Sequence, residues 1–143
     1  MDIVIDFDGT CVTHDFPEIG KSIGAEPVLR DLVSAGHNLI LFTMRSNNGD
    51  LPLFTPNGIE NVSGNFLDDA VNWFKENKIE LYGIQKNPTQ QNWTSSPKAY
   101  GQIIIDDAAL GCPLDFDVSI SKRPYVDWDT VYKKLEDLGL FKK

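Results

Sequence analysis

The sequence predicts an α/β fold in which a parallel sheet is sandwiched between helices. Three observations lead there. Short apolar runs too brief for helices alternate with longer stretches whose apolar residues recur at helical spacing. Several of those runs end on a polar residue capable of chemistry, and ligands in open α/β sheets bind beyond the carboxyl ends of the strands. At 143 residues, with 41% hydrophobic and 24% charged residues, the chain suits one soluble domain spanning 1–143. Alternating strands and helices imply right-handed crossovers and parallel strands.

Residues 3–7, IVIDF, form the first strand, and their Ile/Val content suits burial on both faces. A loop punctuated by Pro17 and Gly20 follows to Gly24. GAEPVLRDLVSAG reads as a helix, with Pro27 in its first turn, Val28, Leu29, Leu32 and Val33 on one stripe, and Gly36 past its end. HNLILFT is a second strand ending on Thr43. Residues 47–64, rich in Asn, Gly and Pro, form a loop excursion in which Leu51, Leu53 and Phe54 offer apolar contacts. Asn65 can cap a helix whose inner stripe is Phe66, Leu67, Ala70, Val71 and Phe74, with Asp68 placed as a capping-box acid. IELYGI is a third strand, KNPTQQNWTSSP a loop, and QIIIDD a fourth strand. FDVSI is a weaker fifth strand. Residues 127–138 form the last helix, ended by Gly139.

The net charge of −8 argues against a general affinity for nucleic acid or anionic membranes. No apolar run is long enough to span a bilayer, and Asp2 and Asp6 do not suit a signal peptide. Two cysteines, Cys11 and Cys112, do not make a disulfide framework, so the expected setting is reduced and cytoplasmic. Both read better as small apolar fillers than as reactive thiols.

Asp6, Thr43, Lys86 and Asp106 all fall at strand ends. If the first and fourth strands are neighbours, Asp6, Asp8, Asp106 and Asp107 crowd into one notch, because adjacent strands lie about 4.8 Å apart. Two carboxylates about 4 Å apart repel by roughly 4 kcal/mol at an effective dielectric near 20. Raised pKa values, a lysine or a divalent cation would offset this, and an all-oxygen set open to solvent suits Mg²⁺. Beside such a cation a carboxylate can attack phosphorus, while a second acid two residues on protonates the leaving oxygen and then deprotonates water. Thr43 and nearby backbone N–H groups would hold the phosphoryl oxygens, and Lys98 or Lys86 would supply positive charge.

DFDGT, LILFTMR, SPK and IIIDD, in this order, resemble the four motifs of the haloacid dehalogenase superfamily of phosphohydrolases, and the match runs from Met1 to about Leu114. With the flap HDFPEIG, the chain is similar to a small capless branch. The resemblance implies a three-layer Rossmann-like sheet in the order 5-4-1-2-3, flanked by helices, with no cap domain. It implies that Asp6 is the nucleophile, Asp8 the general acid/base and a metal contact through its carbonyl, and Asp106 a metal ligand. Asp107 would hold a metal water or orient Lys98, whose spacing before Asp106 fits the family lysine better than Lys86. Thr43 would grip the phosphoryl group beside Gly9, Met44 and Arg45. The implied cofactor is Mg²⁺, and the implied activity is hydrolysis of a small phosphomonoester such as a nucleotide or sugar phosphate. The alternative is a binding module of the same fold that keeps Mg²⁺ and phosphate affinity without turnover.

Some residues carry two readings. Arg45 either reaches a substrate phosphate or pairs with an acid. His14 and Asp15 either set specificity from the flap or are solvated loop residues, and Trp93 is either a substrate platform or loop packing. An oligomer is possible but not legible in the sequence.

Overall fold

The computed structural model describes residues 1–47 and 49–142, with residues 49–54 and 60–62 described by backbone alone. In chain order the elements are β1 (Asp2–Ile5), α1 (Ala25–Ser34), β2 (Asn38–Leu41), β3 (Gly49–Thr55), β4 (Gly58–Gly64), α2 (Phe66–Glu76), β5 (Gly83–Ile84), β6 (Ile103–Ile105), β7 (Leu114–Asp115), β8 (Tyr125–Val126) and α3 (Trp128–Asp137). The architecture is α/β: a four-stranded parallel sheet in the order β5-β2-β1-β6, flanked by the three helices and compatible with a Rossmann-like fold. β1 lies between β2 and β6, with Ile3 opposite Leu39 on one side and Ile103 on the other. Among the described residues no helix is long and apolar enough to cross a membrane.

Alternation along each strand sorts its side chains to two faces. Ile3, Ile5, Leu39, Leu41 and Ile105 join a buried cluster to which all three helices contribute: Leu29 and Leu32 from α1, Ala70, Trp73 and Phe74 from α2, and Val131 and Leu135 from α3. The intervening Val4 and Ile40 belong instead to a small cluster with Ala99. The second face is thus covered by the irregular segment 85–101 and, among the described residues, not by a helix. A Cβ on Gly101 would stand 2.7 Å from Val4 Cγ2, so glycine lets this segment lie directly on the strand. Ile104, on the same face, remains 50% exposed.

The helix ends follow local chemistry. Asp127 caps α3, its carboxylate accepting from the Thr130 N–H at 3.2 Å and from the Thr130 hydroxyl at 2.7 Å. At α2, the Asp68 N–H is capped from outside the helix by the Asn47 side-chain oxygen at 3.0 Å, and Asn47 donates to the Asp68 carboxylate in return.

The structure differs from the sequence expectation in three places. The sheet is not sandwiched between helices among the described residues: all three pack on one face, and segment 85–101 covers the other. Within the expected 47–64 loop excursion, residues 49–64 form an antiparallel hairpin, β3 and β4, closed by Pro56 and Asn57 with Gly58 at φ 117°. Leu51, Leu53 and Phe54, expected to make apolar contacts, have side chains outside those described. The expected fifth strand, FDVSI, is an exposed turn, so the order 5-4-1-2-3 lacks its outer member among the described residues. Its physical cause is Asp117, whose carboxylate accepts from the Ser119 N–H at 2.9 Å and hydroxyl at 2.6 Å. Such local bonds offer the backbone an alternative to a sheet ladder. Nearby, β7 pairs with β8 in a two-stranded antiparallel ribbon, Leu114 opposite Val126.

Candidate functional site

Beyond the carboxyl end of β1 the chain turns sharply. The Thr10 and Cys11 N–H groups both donate to the Phe7 carbonyl, and Gly9 adopts φ +81°. A Cβ at Gly9 would lie 2.6 Å from Asp107 Oδ2 and would collide with the His14 ring. Glycine therefore serves both the turn and the close approach of two side chains. The same turn presents Asp6 and Asp8 in different directions.

Asp6 faces β6. Its N–H donates to the Ile105 carbonyl at 3.0 Å, which ties the end of β1 to the end of its neighbour. One carboxylate oxygen each from Asp6, Asp106 and Asp107 falls within a 4.8 Å group. Thr10, fully buried, organises two of them: its hydroxyl lies 2.8 Å from Asp6 Oδ2 and 3.2 Å from Asp107 Oδ1, and it accepts from the Asp107 N–H at 3.0 Å. Thr10 is held in turn by Trp128, whose indole N–H donates to its carbonyl at 2.7 Å. Asp107 also pairs with His14, Nε2 to Oδ2 at 2.8 Å. Asp106 Oδ1 accepts from the Ala108 N–H at 2.8 Å.

Burial and close neighbours perturb Asp6 and Asp107. Burial, together with the Asp107 hydrogen bond and the Asp106 charge, pushes Asp6 up to about 8 despite the Thr10 hydrogen bond. Burial acts on Asp107 in the same sense, but its hydrogen bond with Asp6 and its pairing with His14 outweigh that and hold it below the usual carboxylate range. The pair behaves as two carboxylates sharing one proton. A donor set of carboxylate oxygens, without thiolate or imidazole in the group, fits a hard cation such as Mg²⁺.

Asp8 points elsewhere. Both its oxygens accept from Arg45 at 2.8 Å, from Nε and Nη2. Arg45 is 2% exposed and therefore a buried partner of a motif acid. Thr43 stands at the end of β2, where its hydroxyl accepts from the Arg45 N–H at 3.1 Å. Gln85, at φ 65°, braces this stretch: its side chain accepts from the Thr43 N–H at 2.9 Å and donates to the Thr43 carbonyl at 2.8 Å. Met44, between Thr43 and Arg45, is 98% exposed.

The structure thus brings Asp6, Asp106, Asp107 and Gly9 together, and holds Asp8 with Arg45 beside Thr43. It does not bring a lysine in. Lys98 and Lys86 are exposed, and among the described residues the acids' ion-pair partners are His14 and Arg45. Asp107, expected to hold a metal water or to orient Lys98, is met by His14. Asp15 is exposed, while Trp93 packs edge-on against Tyr100 with ring centroids 5.3 Å apart. Cys11 is buried, its thiol pushed well up by desolvation and donating to the Asp6 carbonyl at 3.3 Å, as a filler would.

Sequence reasoning overlooked Thr10 and Gln85. Thr10 had a signal, its place two residues after Asp8. Gln85 had none, since only the fold carries it to Thr43.

No model of a known protein family matches the chain, and no curated protein matches it. Among solved structures the chain is similar to a conserved protein coded by locus from Bacteroides thetaiotaomicron, at 28% identity. The match covers 96% of this chain and 90% of that one, with a TM-score of 0.67, so the likeness extends over nearly the whole fold.

Proposed function

We propose that the protein is a Mg²⁺-dependent phosphomonoester phosphatase acting through a phosphorylated Asp6, in the manner of the haloacid dehalogenase superfamily with the sheet order that family implies. The observation that carries this reading is the three-carboxylate group at the ends of neighbouring parallel strands β1 and β6. Asp6, Asp106 and Asp107 would hold the cation, Asp8 contributing through its carbonyl. When bound, Mg²⁺ supplies positive charge that lets an anionic carboxylate approach an anionic phosphate.

The protein's own groups carry the steps. An Asp6 carboxylate oxygen attacks phosphorus, the ester P–O bond breaks, and Asp8 protonates the departing alkoxide. Asp8 then takes a proton from water, whose oxygen attacks the same phosphorus. Inorganic phosphate leaves and Asp6 is restored. Thr43 and the Met44 backbone N–H hold the phosphoryl oxygens, with Gly9 and Arg45 near them and Lys98 supplying the positive charge. The hairpin at 49–64 partly covers the site in place of a cap, and a small phosphorylated metabolite or nucleotide in a cytoplasmic setting is the substrate. Deletion of 47–63 with unchanged turnover and affinity would remove the hairpin from this account.

Two observations favour the non-catalytic alternative: both oxygens of Asp8 are engaged by Arg45, and no described lysine meets the acids. A phosphatase screen with Mg²⁺ decides between them. The catalytic reading requires turnover that EDTA silences and that both Asp6→Asn and Asp8→Asn abolish. Phosphate and Mg²⁺ binding without turnover would establish the alternative.

A further inference from the structure

We infer that Arg45 is a positioning residue that clamps the 14–18 flap over the site and aims Asp8, and that it does not bind the phosphate; its kinetic consequence rests on the phosphatase reading above. A guanidinium has five N–H donors in a fixed plane. All five are used inside the protein. Nε and one Nη2 hydrogen go to the two oxygens of Asp8 at 2.8 Å. The other Nη2 hydrogen goes to the Glu18 carbonyl at 2.8 Å, and Nη1 reaches the carbonyls of Pro17 at 3.4 Å and Phe66 at 3.3 Å. No donor is left for a substrate oxygen.

The plane of the group is fixed as well as its edges. The guanidinium carbon lies 5.1 Å from the ring centroids of both Phe7 and Phe16. Phe16 is in turn packed edge-on against Phe66 at 5.1 Å, which ties the flap to the start of α2. From one end of β2, Arg45 therefore fastens three separate stretches: the turn carrying Asp8, the flap, and the α2 N-terminus. The flap also carries His14, whose ring meets Asp107.

The consequence for Asp8 is directional. Bidentate pairing takes one lone pair from each carboxylate oxygen and sets the plane of the group, leaving the remaining lone pairs facing a defined way. Lysine cannot reproduce this, because an ammonium is a point donor without the fork.

Two measurements on Arg45→Lys, with Phe16→Ala as a milder variant of the same clamp, test the inference. Amide hydrogen exchange in the full-length protein should quicken within 13–20 while α3 stays protected. Phosphatase kinetics with Mg²⁺ should show KM and inhibition by inorganic phosphate near wild type with kcat reduced. The loss in single-turnover ester cleavage, read before water enters, should depend on the leaving group: about 100-fold or more for an alkyl phosphate, which needs its oxygen protonated, and under about 10-fold for p-nitrophenyl phosphate, which does not. Added guanidinium should restore part of the alkyl phosphate rate in an Arg45→Ala protein. Unchanged exchange in the flap overturns the clamp. A raised KM, or equal losses of single-turnover cleavage on both esters, overturns the aiming of Asp8. A wild type without phosphatase activity refutes the catalytic reading alone, and the exchange data still decide whether Arg45 holds the flap.

Discussion

Replacing Asp6 by Asn should make the metal-free protein more stable, although it removes a group placed at the centre of the chemistry. The magnitude follows from the proton that folding imposes on the acid group. Folding forces Asp6 from an ordinary 3.8 to about 8, so at pH 7 the native state must hold a proton the unfolded chain would release, a cost of about 4 kcal/mol. Asn can accept from Thr10 and donate to Asp107, so the hydrogen bonds survive and most of that cost is recovered, about 2–4 kcal/mol. For a chain of this size that corresponds to a rise in Tm of roughly 5–12 °C. The sign with pH is also determined. A carboxyl whose folded pKa is raised contributes most below its unfolded value, so wild-type stability in EDTA should fall as pH rises from about 4 to about 8. Urea unfolding of wild type and Asp6→Asn at pH 5 and pH 8, both in EDTA, measures this. Asp6→Asn should be more stable at pH 8, and the gap should narrow at pH 5. A destabilised Asp6→Asn at pH 8, or a wild type that gains stability across that interval, would refute the shared-proton account.

Mg²⁺ should raise the wild-type Tm, by about 2.7 kcal/mol of added stability at a hundredfold excess over Kd, and should do much less for Asp106→Asn; equal shifts in a thermal melt would place the ion elsewhere. Gly9→Ala should destabilise by more than about 1 kcal/mol, because alanine is strained at positive φ and its Cβ meets Asp107 and His14, and Gly9→Asn losing no more than Gly36→Asn in chemical denaturation would contradict the close-approach argument. Asp127→Ala should cost about 1 kcal/mol through loss of the α3 cap. Because the Thr130 hydrogen bonds hold Asp127 below the usual carboxylate range, that contribution is present above the ordinary pKa near 4 and disappears as pH falls through the depressed value. The two proteins should therefore converge in stability in strong acid, and a constant difference from pH 7 to pH 2 would show another cause.

The clearest failures of sequence reading share a cause. FDVSI has strand-like alternation, but Asp117 binds the Ser119 N–H within its own turn, and among the described residues no strand pairs with it. The hairpin at 49–64 carried a turn signal in TPNG that its polar composition obscured. The covering of the second sheet face by 85–101 depends on Gly101 allowing backbone to lie on Val4, a contact between residues nearly a hundred positions apart.

What the linear chain determined by itself was periodicity and local chemistry: the apolar runs of β1, β2 and β6, the apolar stripes of the helices, and a carboxylate just past the ends of β1 and β6. Those are properties of neighbours in sequence, governed by side-chain spacing of two or 3.6. Partner choice belonged to the tertiary structure. Pairing of β1 with β6 set the distance among Asp6, Asp106 and Asp107, and the fold brought Arg45 to Asp8. Whether Arg45 faced solvent or an acid, and whether a lysine or His14 met Asp107, turned on which long side chains could be buried with every donor satisfied. Burial is a property of the packed whole, and no window of the sequence contains it.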